Sequence, residues 1–115
     1  MKLGNSIISE EFEIGEKKFP VHINLVRIGD DIAKERENLI KMARSGDNEK
    51  AGESFVRLTE IICGEEATKY MLEYYEDDYL ALMLDIMPFY TDVVFPQVDA
   101  ARKQAIEMAK KVKHG

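Results

Sequence analysis

The segment from Tyr79 to Lys113 begins apolar and acidic, is interrupted by Pro88 and Pro96, and turns basic at its end. Proline removes one backbone donor from a helix interior and kinks it, yet it is welcome in a first helical turn. The helical spacing here predicts either one kinked helix or two to three consecutive ones, broken at Pro88 and Pro96. Charge is segregated over the same region. Residues 60–99 carry ten acidic side chains against Lys69 alone, whereas residues 100–115 carry Arg102, Lys103, Lys110, Lys111 and Lys113 against Glu107. An acidic face and a basic tail can steer a small protein onto a partner or onto a second copy of itself.

The N-terminal part reads differently. Phe12 and Ile14 share one face, Gly15-Glu16-Lys17-Lys18 supplies a turn, and Phe19, Val21, Ile23 and Leu25 then alternate with polar residues and Pro20. A period of two on both sides of a glycine-containing turn predicts a β-hairpin over 12–25. Pro20 has no N–H to give to a ladder, so that arm presents an edge. A lone hairpin is marginal in water and needs helices, or another subunit, to pack against. Residues 1–11 read as a flexible arm or an edge strand.

Helical spacing dominates residues 29–113. Gly29-Asp30-Asp31 is expected to end the strand region and cap a helix carrying Ile32, Ala33, Leu39 and Ile40. Ser45-Gly46-Asp47-Asn48 closes it, and a second helix follows over about 49–63, ended by Gly64 in a left-handed conformation. Glu65-Glu66 open a short third helix with Ala67, Tyr70, Met71 and Tyr74 on its apolar side. Asp77-Asp78 begin the last region, whose first stripe reads as Leu80, Met83, Leu84 and Met87. The expected fold is α+β, mostly helical, one domain over residues 1–115: a hairpin and about four helices, the last long.

The net charge of -6 argues against phosphate-neutralising nucleic-acid binding. No apolar run approaches the roughly 20 residues that span a bilayer, and the start has no secretory pattern, so no membrane association and a cytoplasmic location are expected. Cys63 follows Ile61-Ile62 on a helix and reads as a small core residue rather than a nucleophile, with only His22 and His114 as potential bases. Glu73, Glu76, Asp77 and Asp78 lack calcium-loop spacing and read as a solvated turn with helix caps. No phosphate-binding glycine motif occurs. The reading is no catalytic residue, no metal and no cofactor: not an enzyme.

The aromatic content is concentrated between residues 70 and 95. Neighbours on a helix cannot both face one core, so Tyr74-Tyr75 and Phe89-Tyr90 each place one ring toward the surface. Tyrosine and methionine suit adaptable contacts. Tyr74, Tyr75, Tyr79, Met83, Met87, Phe89, Tyr90 and Phe95 are therefore the candidate protein-interaction residues. Self-association through the hairpin edge or the last helical region is also expected.

Three stretches carry a family resemblance: the hairpin Phe12-Glu13-Ile14-Gly15-Glu16-Lys17-Lys18-Phe19-Pro20-Val21, the junction Ile61-Ile62-Cys63-Gly64-Glu65-Glu66-Ala67, and Asp77-Asp78-Tyr79 leading to Leu84-Asp85-Ile86-Met87-Pro88-Phe89. In this order they resemble the tail assembly chaperones of long-tailed bacteriophages and prophages of Gram-positive bacteria. The resemblance implies a homo-oligomeric protein that coats the tape measure protein, keeps it soluble and helps recruit tail tube subunits. It also implies a longer frameshifted form, with the codons of Ala109-Lys110-Lys111 as the slippage candidate. A small acidic helical adaptor that dimerises and binds another protein is the alternative from residue chemistry.

Overall fold

The computed structural model describes residues 7–114. Strands β1 (Ile7–Ile14) and β2 (Lys17–Asn24) form an antiparallel hairpin, followed by helices α1 (Leu25–Arg44), α2 (Asn48–Cys63) and α3 (Glu65–Tyr74). Helix α4 (Tyr79–Phe89), a π-helical turn (Tyr90–Val94) and α5 (Phe95–His114) complete the chain. The fold is thus the α+β, mostly helical arrangement expected, and it begins earlier than expected. Residues 7–11 are strand, and residues 1–6 of the proposed arm lie outside the described residues. The turn is also tighter, a two-residue loop of Gly15 and Glu16, because Lys17 and Lys18 already pair with Ile14 and Glu13.

The hairpin's inner face is set by the pleat. Phe19, Val21 and Ile23 are buried, alternating with exposed Pro20, His22 and Asn24, and Ile8 and Ile14 supply the same face from β1. Phe12 stacks on its cross-strand partner Phe19 with ring centroids 5.3 Å apart. The hairpin therefore gains its stability from the helical layer, as an isolated two-stranded unit would require.

Helix α1 does not wait for Gly29-Asp30-Asp31. Asn24 is both the last strand residue and the N-cap, its Oδ1 accepting from the backbone N–H of Val26 and of Arg27 at 3.1 and 3.3 Å. Gly29 instead lies buried within the helix, where a Cβ would come 4.0 Å from Val98 of α5. Helices α1 and α5 thus pack at ordinary van der Waals distance here. Arg36 holds Asp99 through two hydrogen bonds of 2.8 and 3.1 Å, and Arg102 donates to Asp30 at 3.1 Å. The pairings show that α1 and α5 run antiparallel. Arg36 beside Asp99 lowers the carboxyl's pKa.

Helices α1 and α2 are joined by a polar network around Glu35. Its carboxylate accepts from fully buried Ser54 at 2.7 Å and from Arg57 at 3.0 Å. Burial opposes its charge, yet the hydrogen bonds from Ser54, Arg57 and Asn38 prevail and hold its pKa below the usual 4.5. Gly64 does end α2, with a φ of 93° but an extended ψ of 161° rather than a left-handed helical one.

The last region is one continuous helical run, 34 residues over Tyr79–Val112. Its buried line is Leu82, Ile86, Tyr90, Val94 and Val98. The expected stripe of Leu80, Met83, Leu84 and Met87 is corrected accordingly: Leu80 and Leu84 face outward, and the two methionines are half-buried. The segment α4 is apolar on nearly every face, so periodicity did not single out the packed side. Pro96 explains the π-turn. In α geometry its ring would meet the carbonyl of the residue four back. Phe95, immediately before it, bonds instead to the carbonyl of Tyr90, five residues back. Gln97 Nε2 then donates to the carbonyl of Val93 at 2.7 Å.

One 18-residue window of this helix reaches a mean hydropathy of 1.2, which with its length meets the requirement for crossing a membrane by composition. That window includes Asp85 and Asp92, so no uninterrupted apolar run of this length occurs. The helix's own Leu82, Ile86, Val94 and Val98 lie in the protein core.

Two outcomes follow for stability. Tyr90 is fully buried and its hydroxyl donates to Thr59 at 2.9 Å. Tyr90→Phe should cost about 1–2 kcal/mol by leaving Thr59 without this partner, and adding Thr59→Val should recover part of it. Urea midpoints measure both, and an unchanged midpoint for Tyr90→Phe would remove the bond's role.

The second concerns acid. Glu35 has a depressed folded pKa, so its contribution is complete above the usual value and is lost as pH falls through the folded one. Glu35→Gln should flatten the acid limb of the stability curve from about pH 4.5 downward. Identical acid limbs for the two proteins would contradict this.

Candidate protein-binding site

The aromatic residues of three elements converge where the hairpin turn meets the end of α3 and the second half of α4. Phe12 of β1 lies 5.4 Å from Phe89 of α4. Phe19 reaches Tyr70 at 5.2 Å, Tyr70 reaches Tyr74 at 6.4 Å, and Tyr74 meets Tyr75 edge-on at 5.2 Å. The row is continuous, and Lys17 caps part of it with Nζ 4.5 Å from the Tyr70 centroid.

Beside this row lies an open cavity of about 580 Å³, walled by Phe12, Tyr74, Tyr75 and Phe89 and edged by Glu13 and Asp85. Tyr75 donates to Asp85 at 2.6 Å, and its pKa is pushed up to about 12 by burial and by that carboxylate. Tyr75 is therefore a fixed neutral donor that orients Asp85. Tyr74 is 52% exposed and forms the outer wall. Its position depends on Gly15, whose φ is 62° and where a Cβ would stand 2.7 Å from the Tyr74 ring. The combination of flat apolar walls and carboxylates fits the aliphatic stem and cationic head of a lysine or arginine side chain.

Of the eight candidate interaction residues, Tyr74, Tyr75 and Phe89 line this cavity. Tyr79 sits apart, partly exposed against Gly52 and beside Val56 and Arg57 of α2. Met83 and Met87 pack partly against the core. Tyr90 and Phe95 are corrected: both are buried, Tyr90 completely because it falls four residues after Ile86 on the packed line, with its ring among Phe55, Phe89 and Phe95, and Phe95 because it lies between Tyr90 and the Arg36 guanidinium. Phe12, Glu13, Gly15 and Asp85 were missed. Alternation did place Phe12 on the packed face, but which helix end meets the turn is a tertiary fact.

Cys63 lies away from the cavity, its Sγ 3.8 Å from the Tyr90 hydroxyl. Burial pushes the thiol up to about 11, which leaves little thiolate at neutral pH. Among the described residues no group of three or more His, Cys, Asp or Glu side chains is arranged to hold a metal. Comparison with protein families, curated proteins and solved structures finds no match.

Gly15→Ala should destabilise the protein by about 1–2 kcal/mol, from the positive φ, and should displace Tyr74 as well. Denaturant unfolding and the ring resonances of Tyr74 measure the two effects. Unchanged resonances would show that Gly15 does not set the wall.

Proposed function

We propose that this protein is a non-enzymatic tail assembly chaperone of the long-tailed phage type, acting in the host cytoplasm. Its client is the tape measure protein, whose helices it keeps soluble while tail tube subunits are recruited. The observation that carries the reading is the cavity, with aromatic walls and carboxylate edges at the junction of hairpin, α3 and α4. Such a surface takes the edge of an amphipathic helix: apolar side chains lie on the rings while a lysine or arginine reaches Asp85 or Glu13. The residue order that resembles these chaperones supports the same reading, since Phe12 to Gly15 and Asp85 to Phe89 belong to the stretches that carry the resemblance and also border the cavity.

Co-expression with the long coiled-coil-rich reading frame nearest its gene tests the proposal. The wild-type chain should raise the soluble fraction of that partner and be recovered with it. Tyr74→Ala and Asp85→Asn should each weaken recovery, by about tenfold or more for the tyrosine if it is a contact centre. A partner equally insoluble with and without this chain removes the chaperone reading and leaves the acidic adaptor. Solubilisation unaffected by either variant removes the cavity from it.

A further inference from the structure

The buried line of the last helix does not stop where the fold stops covering it. Val94, Val98, Ala101, Ala105, Met108 and Val112 follow one another at alternating intervals of four and three residues, the spacing of a helix–helix seam. Val94 and Val98 are fully buried, whereas Met108 and Val112 are 62% and 75% exposed. The reason is geometric. Helix α1 covers the seam while running antiparallel to α5, and it begins at Leu25, near the level of Arg102 and Ile106. Residues 102–112 are exposed throughout and form an arm whose seam no helix covers among the described residues.

A matching surface exists elsewhere on the same chain. Leu80 and Leu84 stand one helical turn apart on α4, 65% and 70% exposed. Exposed Glu76, Asp77 and Asp78 lie at that helix's start. The arm carries exposed Lys103, Lys110 and Lys111, none of which is in an ion pair among the described residues. Residues 102–112 span about 16 Å of helix, the length of the 11-residue α4.

We propose that the arm of one copy seats on the outer face of α4 of a second copy, Met108 and Val112 covering Leu80 and Leu84. Charge decides between the possible pairings. Two arms together would bring two cationic surfaces into contact, and two α4 faces two acidic ones, since no lysine or arginine lies between residues 70 and 101. Only arm on face brings opposite charges together. The contact is heterologous, so each copy retains one free arm and one free face, and the association continues into a ring or an open filament. None of these four apolar residues lines the client cavity, so the inference stands apart from the proposed function.

Two variants of the full chain test it in sedimentation velocity. Leu80→Ser with Leu84→Ser blocks the face, and Met108→Ser with Val112→Ser blocks the arm. All four sites are exposed, and circular dichroism checks that both variants fold. Wild type should form larger species as concentration rises at low salt and shift toward monomer as salt is added. Each blocked variant alone should stay monomeric, with association weakened more than about tenfold. Mixed together, they should give a one-to-one heterodimer and nothing larger. Lys110→Glu with Lys111→Glu, which leaves the apolar seam intact, should also weaken association at low salt. A wild-type monomer at millimolar concentration overturns the proposal. So does a blocked variant that associates like wild type, or a mixture that yields no heterodimer.

Discussion

Tyr90 and the π-turn that carries it hold the two halves of the molecule together. The hydroxyl is anchored to Thr59 of α2, and the ring lies among Phe55, Phe89 and Phe95. The residues buried along this helix, Leu82, Ile86, Tyr90, Val94 and Val98, are each four apart. In a regular α-helix each such step drifts by about 40° around the axis. A wider turn between Tyr90 and Val94 takes up part of that drift and keeps the line facing the core. Pro96 favours the wider turn, because α geometry would place its ring against a carbonyl. A residue that looks like a helix breaker thus permits one helix to serve both the hairpin and α1.

The same feature separates what could be read in the sequence from what could not. Hairpin alternation at Phe19, Val21 and Ile23 and the Gly64 break between α2 and α3 are local patterns, and both were legible. Asn24 is one of the polar residues that alternate with Phe19, Val21, Ile23 and Leu25. Its capping role depends on the strand passing into a helix without a loop, which displaced the start of α1 from Gly29-Asp30-Asp31 to Leu25. The stripe of α4 was misassigned because Leu80, Leu82, Met83, Leu84, Ile86 and Met87 offer apolar groups in every direction. Tyr90 falls four residues after Ile86 on the packed line, and Phe95 follows the wider turn into the core.

The candidate site was half legible. Adjacent aromatic pairs required one ring of each to turn away from a shared core, and Tyr74 with Phe89 did so. Nothing local indicated that Phe12 and Gly15 would meet them, because that encounter depends on the hairpin folding over the junction of α3 and α4. Gly15 illustrates the coupling. The turn needs a residue tolerant of positive φ, and Tyr74 needs a residue without a Cβ at the same place.

The arm raises a different question, namely what keeps it helical without burial. Residues 100–112 are mostly Ala, Arg, Lys, Gln, Glu and Met, which lose little conformational freedom in a helix. Lys110 and Lys111 in the final turns offset the negative end of the helix dipole. The arm thus carries its own local support. Local support alone, however, sets no requirement on where the larger apolar side chains fall, and alanine or glutamine would serve as well at 108 and 112. Met108 and Val112 nevertheless continue the seam begun by Val94 and Val98, in register, beyond the point where α1 can cover it. An apolar line kept in phase on a self-supporting helix, with cations beside it, has the character of half an interface. The other half is the acidic leucine face of α4, on the same chain but presented to a different copy.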